Sequence, residues 1–233
     1  MDNKDLDVFK EEVSWFFKAD DKIEFKPTKP NFSTEFKETF PKLLELLSRA
    51  EVLEVNLIRE EETILYKLFS WTDSENLKSG WLCKFEKIEN GIKILPEHQL
   101  LLDNIGGIQE NYHQLELDYE ILADNQFFLF IHSECTSGMG EMKKYYEEIC
   151  EEEQTNPIET KDLICFVEEA NSNRTYYNIH TKEILLYAHD HGFDFVEVLE
   201  GQPEYTFYTI NGVNNFVDYV ETVAKEWLVD ILK

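Results

Sequence analysis

The sequence predicts an α+β fold, with a mainly antiparallel mixed sheet packed with helices behind an N-terminal helix and β-meander extension. Three observations carry this expectation. Short runs of apolar residues at period two are bounded by turn residues. Longer segments repeat their apolar residues at helical spacing. The two kinds of segment do not alternate strictly, as a doubly wound fold requires. The 233 residues are 42% hydrophobic and 14% aromatic, a globular composition that can bury a sizeable core. The pattern divides into an extension over residues 1–94 and an α+β domain over residues 95–233.

In chain order, Leu6, Phe9, Val13, Phe16 and Phe17 predict a helix over 5–19. Pro27 and Pro30 stop any regular element across "KPTKPN". Ser33 or Thr34 caps the next helix, which Pro41 starts or kinks and which ends near Ala50. "EVLEVNLIRE" and "TILYKLFSW" are strands joined by an acidic turn, and "GWLCKFEKIENGIKIL" is a second pair turning at Asn90-Gly91. Pro96 opens a helix that Gly106-Gly107 closes. Two strands follow, over "YHQLELDYEIL" and "NQFFLFIHS". An acidic helix then leaves the glycine turn "SGMG". "DLICFVEEA", "TYYNIHT", "EILLYAHDH" and "FDFVEVLEG" read as strands. Asn214 or Asn215 caps a last helix whose apolar face runs from Phe216 to Ile231.

No run of about 18 apolar residues is present, so no membrane-spanning helix is expected. The acidic start lacks the basic-then-apolar order of a secretory signal. Cys83, Cys135, Cys150 and Cys165 are widely spaced, with no CxxC pair, as in reduced cytoplasmic proteins. The formal charge is −26, with −8 on residues 1–115 and −18 on residues 116–233. Such a field repels nucleic acid and anionic lipid and steers basic proteins toward the surface. It equally serves solubility alone.

Several residue groups could carry chemistry. In His189-Asp190-His191 the two imidazoles, two apart on a strand, share a face and could begin a zinc site. A third ligand would have to come from His113, His132 or His180; otherwise the cluster is a solvated or hydrogen-bonded strand end. There is no HExxH motif and no phosphate-binding GxxxxGK[ST] loop, so no cofactor is expected. Cys135 lies near His132, the residue types of a thiol nucleophile and its base, without an accompanying signature. Carboxylate pairs such as Glu168-Glu169 and Glu197/Glu200 are expected by chance at this acidity.

The row Glu147, Glu148, Glu151, Glu152 and Glu153 differs. On a helix its members repel at four-residue spacing, at a cost of a few tenths of a kcal/mol per pair. Either solvent tolerates this or a cationic partner relieves it. Tyr145, Tyr146, Tyr205, Phe207 and Tyr208 lie among acids and are aromatic anchor candidates. The candidate partner-binding set is therefore these five glutamates with Tyr145, Tyr146, His189, Asp190 and His191.

From Leu95 onward the order of elements resembles the SUKH superfamily, the Smi/Knr-type immunity proteins. "LPEHQLLLDNIGG" looks like that family's opening motif of Leu-Pro, a helix and Gly-Gly. "LICFVEEANSNRTYYNIHTKEILLYAHDH" is similar to its central strands, which end in a His-containing dipeptide. "INGVNNFVDYVETVAKEWL" is similar to its closing helix. The segment "FDFVEVLEG" is interposed here, and the first ninety residues have no counterpart. The resemblance implies a non-enzymatic protein that neutralises a cognate toxin domain, often a basic nuclease. A regulatory scaffold binding an endogenous partner is the alternative it leaves, and a metal-dependent hydrolase at His189 and His191 is the weaker one.

Overall fold

The period-two segments fold as strands, but most of them bury both faces, which places helices on both sides of one sheet. The computed structural model describes residues 4–87, 91–114, 126–190 and 194–232. Among these, the strands are β1 (Lys22–Pro27), β2 (Glu51–Arg59), β3 (Glu62–Thr72), β4 (Lys78–Lys84), β5 (Gly107–His113), β6 (Gln126–Leu129), β7 (Thr136–Ser137), β8 (Leu163–Glu169), β9 (Arg174–Asn178), β10 (Ile184–Tyr187), β11 (Val196–Val198) and β12 (Phe207–Ile210). They form one sheet in the order β1-β2-β3-β4-β5-β6-β8-β9-β10-β12-β11, with β7 also on β8. Every pairing is antiparallel. The fold is α+β, and the sheet runs unbroken from the first half into the second through the β4–β5 pair.

One face carries α2 (Thr34–Thr39), α3 (Pro41–Leu47), α4 (Pro96–Ile105) and α6 (Phe216–Ile231). Trp71, Trp81 and Trp227 meet there with ring centres 5.0–5.6 Å apart, and Trp71 Nε1 donates to the Leu46 carbonyl. The other face carries α1 (Lys4–Glu12) over β2–β5 and α5 (Met142–Glu152) over β8–β10 and β12. Alternation assigns the residues: Val52, Phe69 and Trp71 face one layer, and Leu53, Tyr66 and Leu68 face the other.

The helix starts follow their caps. Ser33 Oγ accepts from Phe36 N–H, and Pro41 occupies the first turn of α3. Asn215 Oδ1 accepts from Asp218 N–H, while the Asp218 carboxylate accepts from Asn214 N–H. The first turn of α3 takes its cap from far along the chain, because the Glu221 carboxylate on α6 accepts from the Lys42 and Leu43 amides. Gly106 ends α4 at φ 81°, where a Cβ would stand 2.4 Å from the Lys84 carbonyl oxygen.

Several elements differ from expectation. α1 stops at Glu12, because Arg59 takes the Phe16 carbonyl and pairs with Asp21 while Phe16 and Phe17 fold back on Phe9. This pairing holds the Asp21 carboxyl down at about 2. β1 was missed, although Ile23 and Phe25 alternate with charges in front of Pro27. Residues 92–95 form no strand; Ile92 and Ile94 pack against the core, and β5 takes the place beside β4. Asn90, the expected turn residue, lies outside the described residues. β12 was also missed, and only Val196–Val198 of the expected "FDFVEVLEG" strand is regular.

The β2–β3 hairpin turns on Glu60 and Glu61, both at positive φ (52° and 69°), the two-residue geometry that favours Asn-Gly. The double substitution Glu60→Asn, Glu61→Gly is expected to stabilise the protein by about 1 kcal/mol by removing this strain. Thermal unfolding checks it, and an unchanged or lower midpoint would contradict it. Among the described residues all four cysteines are buried and unbridged. No helix there is long and apolar enough to cross a membrane.

Candidate functional site

α5 leaves a turn built on Gly138 and Gly140, both at positive φ, and turns Tyr146 and Cys150, four apart, onto the sheet. Its outer face presents Lys143, Lys144, Tyr145, Glu147, Glu148, Glu151 and Glu152, all exposed. Apart from Glu141 at the N-cap, the charges run against the helix's own field. A helix favours acids at its start and bases at its end. Here the first turn holds two lysines and no acid, the last turn holds glutamates and no base, and no side chain caps the N-terminus. Lys143 reaches Glu147 at 3.6 Å and Lys144 reaches Glu148 at 3.4 Å. This lysine-first order is the weaker one for such pairs. Glu151, Glu152 and the exposed Glu153 form no ion pair among the described residues.

Tyr145 is 47% exposed, and its ring stands edge-on to His189 at 6.4 Å. His189 follows the end of β10 and lies parallel to the Tyr187 ring. Its amide donates to Asn173 Oδ1, and the Asp190 carboxylate accepts from Asn171 Nδ2. The fold thus joins the acidic helix to the His189-Asp190 bend, which the linear sequence does not reveal. Tyr146 requires a correction. It is 1% exposed, its hydroxyl donates to Gln202 Oε1 and accepts from the Ile158 amide, and its ring packs on Phe207. It is therefore a core residue and not a contact residue. Phe207 and Tyr208 are buried too, while Tyr205 is 47% exposed at φ 60°. His191 lies outside the described residues.

The other candidates scatter. Among the described residues no three His, Cys, Asp or Glu side chains gather as a metal would need. His132 Nε2 bonds the Ile92 carbonyl, His180 faces Asp162, and His113 meets Trp227. Cys135 donates its thiol to the Ile131 carbonyl, burial pushes the thiol up, and no hydrogen bond links it to the His132 ring. A shallow cavity of about 380 Å³ beside them is lined by Glu86, Lys87 and Ser133, but Ser133 N–H and Lys84 already engage Glu86. Glu168 is paired with Arg174 and Glu169 takes Asn173, so they form no acid–base couple.

The ground next to the C-terminal end of α5 is not apparent in the linear sequence. Gln202 accepts from the Tyr146 hydroxyl and donates to the Asn156 carbonyl, which ties the 199–205 turn to the end of the helix. Glu200 and Glu204 flank this turn and Glu197 precedes it in β11, all three exposed. The Gly-Gln-Pro turn at 201–203 was the available signal. No family model, curated protein or solved structure matches the chain.

Proposed function

We propose that the protein is a non-enzymatic binding protein of the SUKH type, an immunity protein whose acidic α5 face covers the cationic surface of a cognate toxin domain such as a basic nuclease. The carrying observation is the charge order of α5. Lysines in its first turn, and glutamates in its last with no ion pair among the described residues, cost the helix about 0.3–1 kcal/mol at each end. A sequence arranged for the helix's own stability would place them the other way. A basic partner removes the cost at the glutamate end and replaces it with attraction. Tyr145 and His189 offer a semi-rigid aromatic edge beside the charges.

The test is co-expression with toxin domains encoded beside this chain. Rescue of growth by the wild type, and its loss with a Glu148→Lys, Glu151→Lys, Glu152→Lys protein, is the expected result. Equal rescue by both would place the binding face elsewhere. Failure of rescue, with recovery of an endogenous basic protein, would move the reading to a regulatory scaffold.

A further inference from the structure

We propose that β11 is an open docking edge, onto which the partner adds an extended strand whose cationic residues alternate with apolar ones. The proposal rests on the acidic-binding reading above and specifies the shape of the segment that surface takes. β11 ends the sheet and pairs with β12 alone among the described residues. The register fixes which of its backbone groups are used. Asn211 N–H donates to the Phe195 carbonyl and Leu199 N–H to the Phe207 carbonyl, so residues 195, 197 and 199 face β12. Val196 and Val198 therefore turn their amides and carbonyls outward, two residues apart, as an added strand requires.

The side chains state what that strand carries. Val196 packs against the core layer of α6, and Val198, on the same face, is 39% exposed. Leu199 packs on the α5 layer, so Glu197 also points to the α5 side. Glu197, Glu200 and Glu204 have no ion pair among the described residues, and Gln202, between Glu200 and Glu204, is bonded to Tyr146 of α5 and to the Asn156 carbonyl beyond its end. A strand laid along β11 thus meets the Glu197 carboxylate on one face, with Glu200 and Glu204 in the turn that follows, and valines on the other. Lysine or arginine at every second position, with valine-like residues between, matches both. The opposite edge of the sheet, β1, is different. It carries Lys22 and Lys26 and closes with Pro27, which blunt it against such an addition.

The probe is the capped heptapeptide Lys-Val-Lys-Val-Lys-Val-Lys, with a control of the same composition in which the valines are consecutive. Binding at low salt and amide hydrogen exchange are measured. The alternating peptide is expected to bind more tightly than the block peptide and to slow exchange at Val196 and Val198. The Val198→Pro protein, which loses an outward-facing N–H and fixes φ at that position, is expected to bind it about tenfold more weakly. Because that variant could disturb the strand, the same loss is sought with the wild type and a peptide N-methylated on the amides that face β11. Equal binding of both peptides, or indifference to N-methylation, overturns edge pairing while leaving an acidic surface that attracts cations. If neither peptide binds and reversal of the α5 glutamates changes nothing, the acidic-binding reading falls with it.

Discussion

Replacing His98 with alanine is expected to lower stability by about 3–5 kcal/mol, a large share of what holds a domain folded. The ring, on α4, is fully buried against Tyr177 of β9 and Phe216 of α6. Its Nε2 meets the Phe130 carbonyl at 2.7 Å, and its Nδ1 meets the Tyr177 hydroxyl at 3.1 Å. A carbonyl only accepts, so Nε2 carries the proton and the tyrosine donates to Nδ1. The ring also stacks on Phe216 at 4.8 Å. Removing it leaves a cavity and strips a partner from each of two buried polar groups.

The same geometry predicts acid sensitivity. Burial pushes the imidazole down to about 4, below its ordinary value of 6.5. The folded protein needs this ring neutral, whereas the unfolded chain takes up the proton readily. The stabilisation is therefore complete above about pH 6.5 and falls as the pH drops toward 4, by about 3 kcal/mol in all. Urea unfolding between pH 7 and 4 measures it. If the His98→Ala protein shows the same acid slope, the proton enters elsewhere.

The second large effect is expected on α5. A Glu151→Lys, Glu152→Lys protein is expected to melt at a higher temperature, gaining about 1 kcal/mol. The new lysines suit the end of the helix field and remove two repulsions, with Glu147 and Glu148. Association with a basic partner is expected to slow by about 10- to 100-fold at low salt, with a shallower salt dependence. Melting curves and stopped-flow mixing with the neutralised domain read the two arms. Stability and binding should move in opposite directions. A fall in both would mean that these glutamates hold the fold together.

The fold class was legible because pattern and turn chemistry agree locally. Ser33, Pro41, Pro96, Gly106 and Asn215 act where their backbone preferences place them. β1 and β12 were not legible, because four to six residues of alternation are too short to separate from a loop until a neighbour pairs with them. The truncated end of α1 depends on Arg59, 43 positions beyond Phe16, and no local pattern contains that. The acidic row of the candidate site was readable as a helix face. That Tyr146 points inward while Tyr145 points outward follows from the rotation of α5 on its sheet, which the exposed and buried sides of a short amphipathic helix do not reveal residue by residue. The β11 edge became visible only once strand order was known.

The cap that Glu221 provides to α3 spans 178 positions. α6 also supplies Trp227 to the Trp71–Trp81 pair. On the ribosome, the early helices and strands therefore emerge long before the element that closes them. Until α6 arrives, a growing chain exposes a tryptophan-rich layer and an uncapped helix start. A message cut short ahead of codon 216 would yield a product defective in its opening third as well as at its end, and a ready client for chaperones.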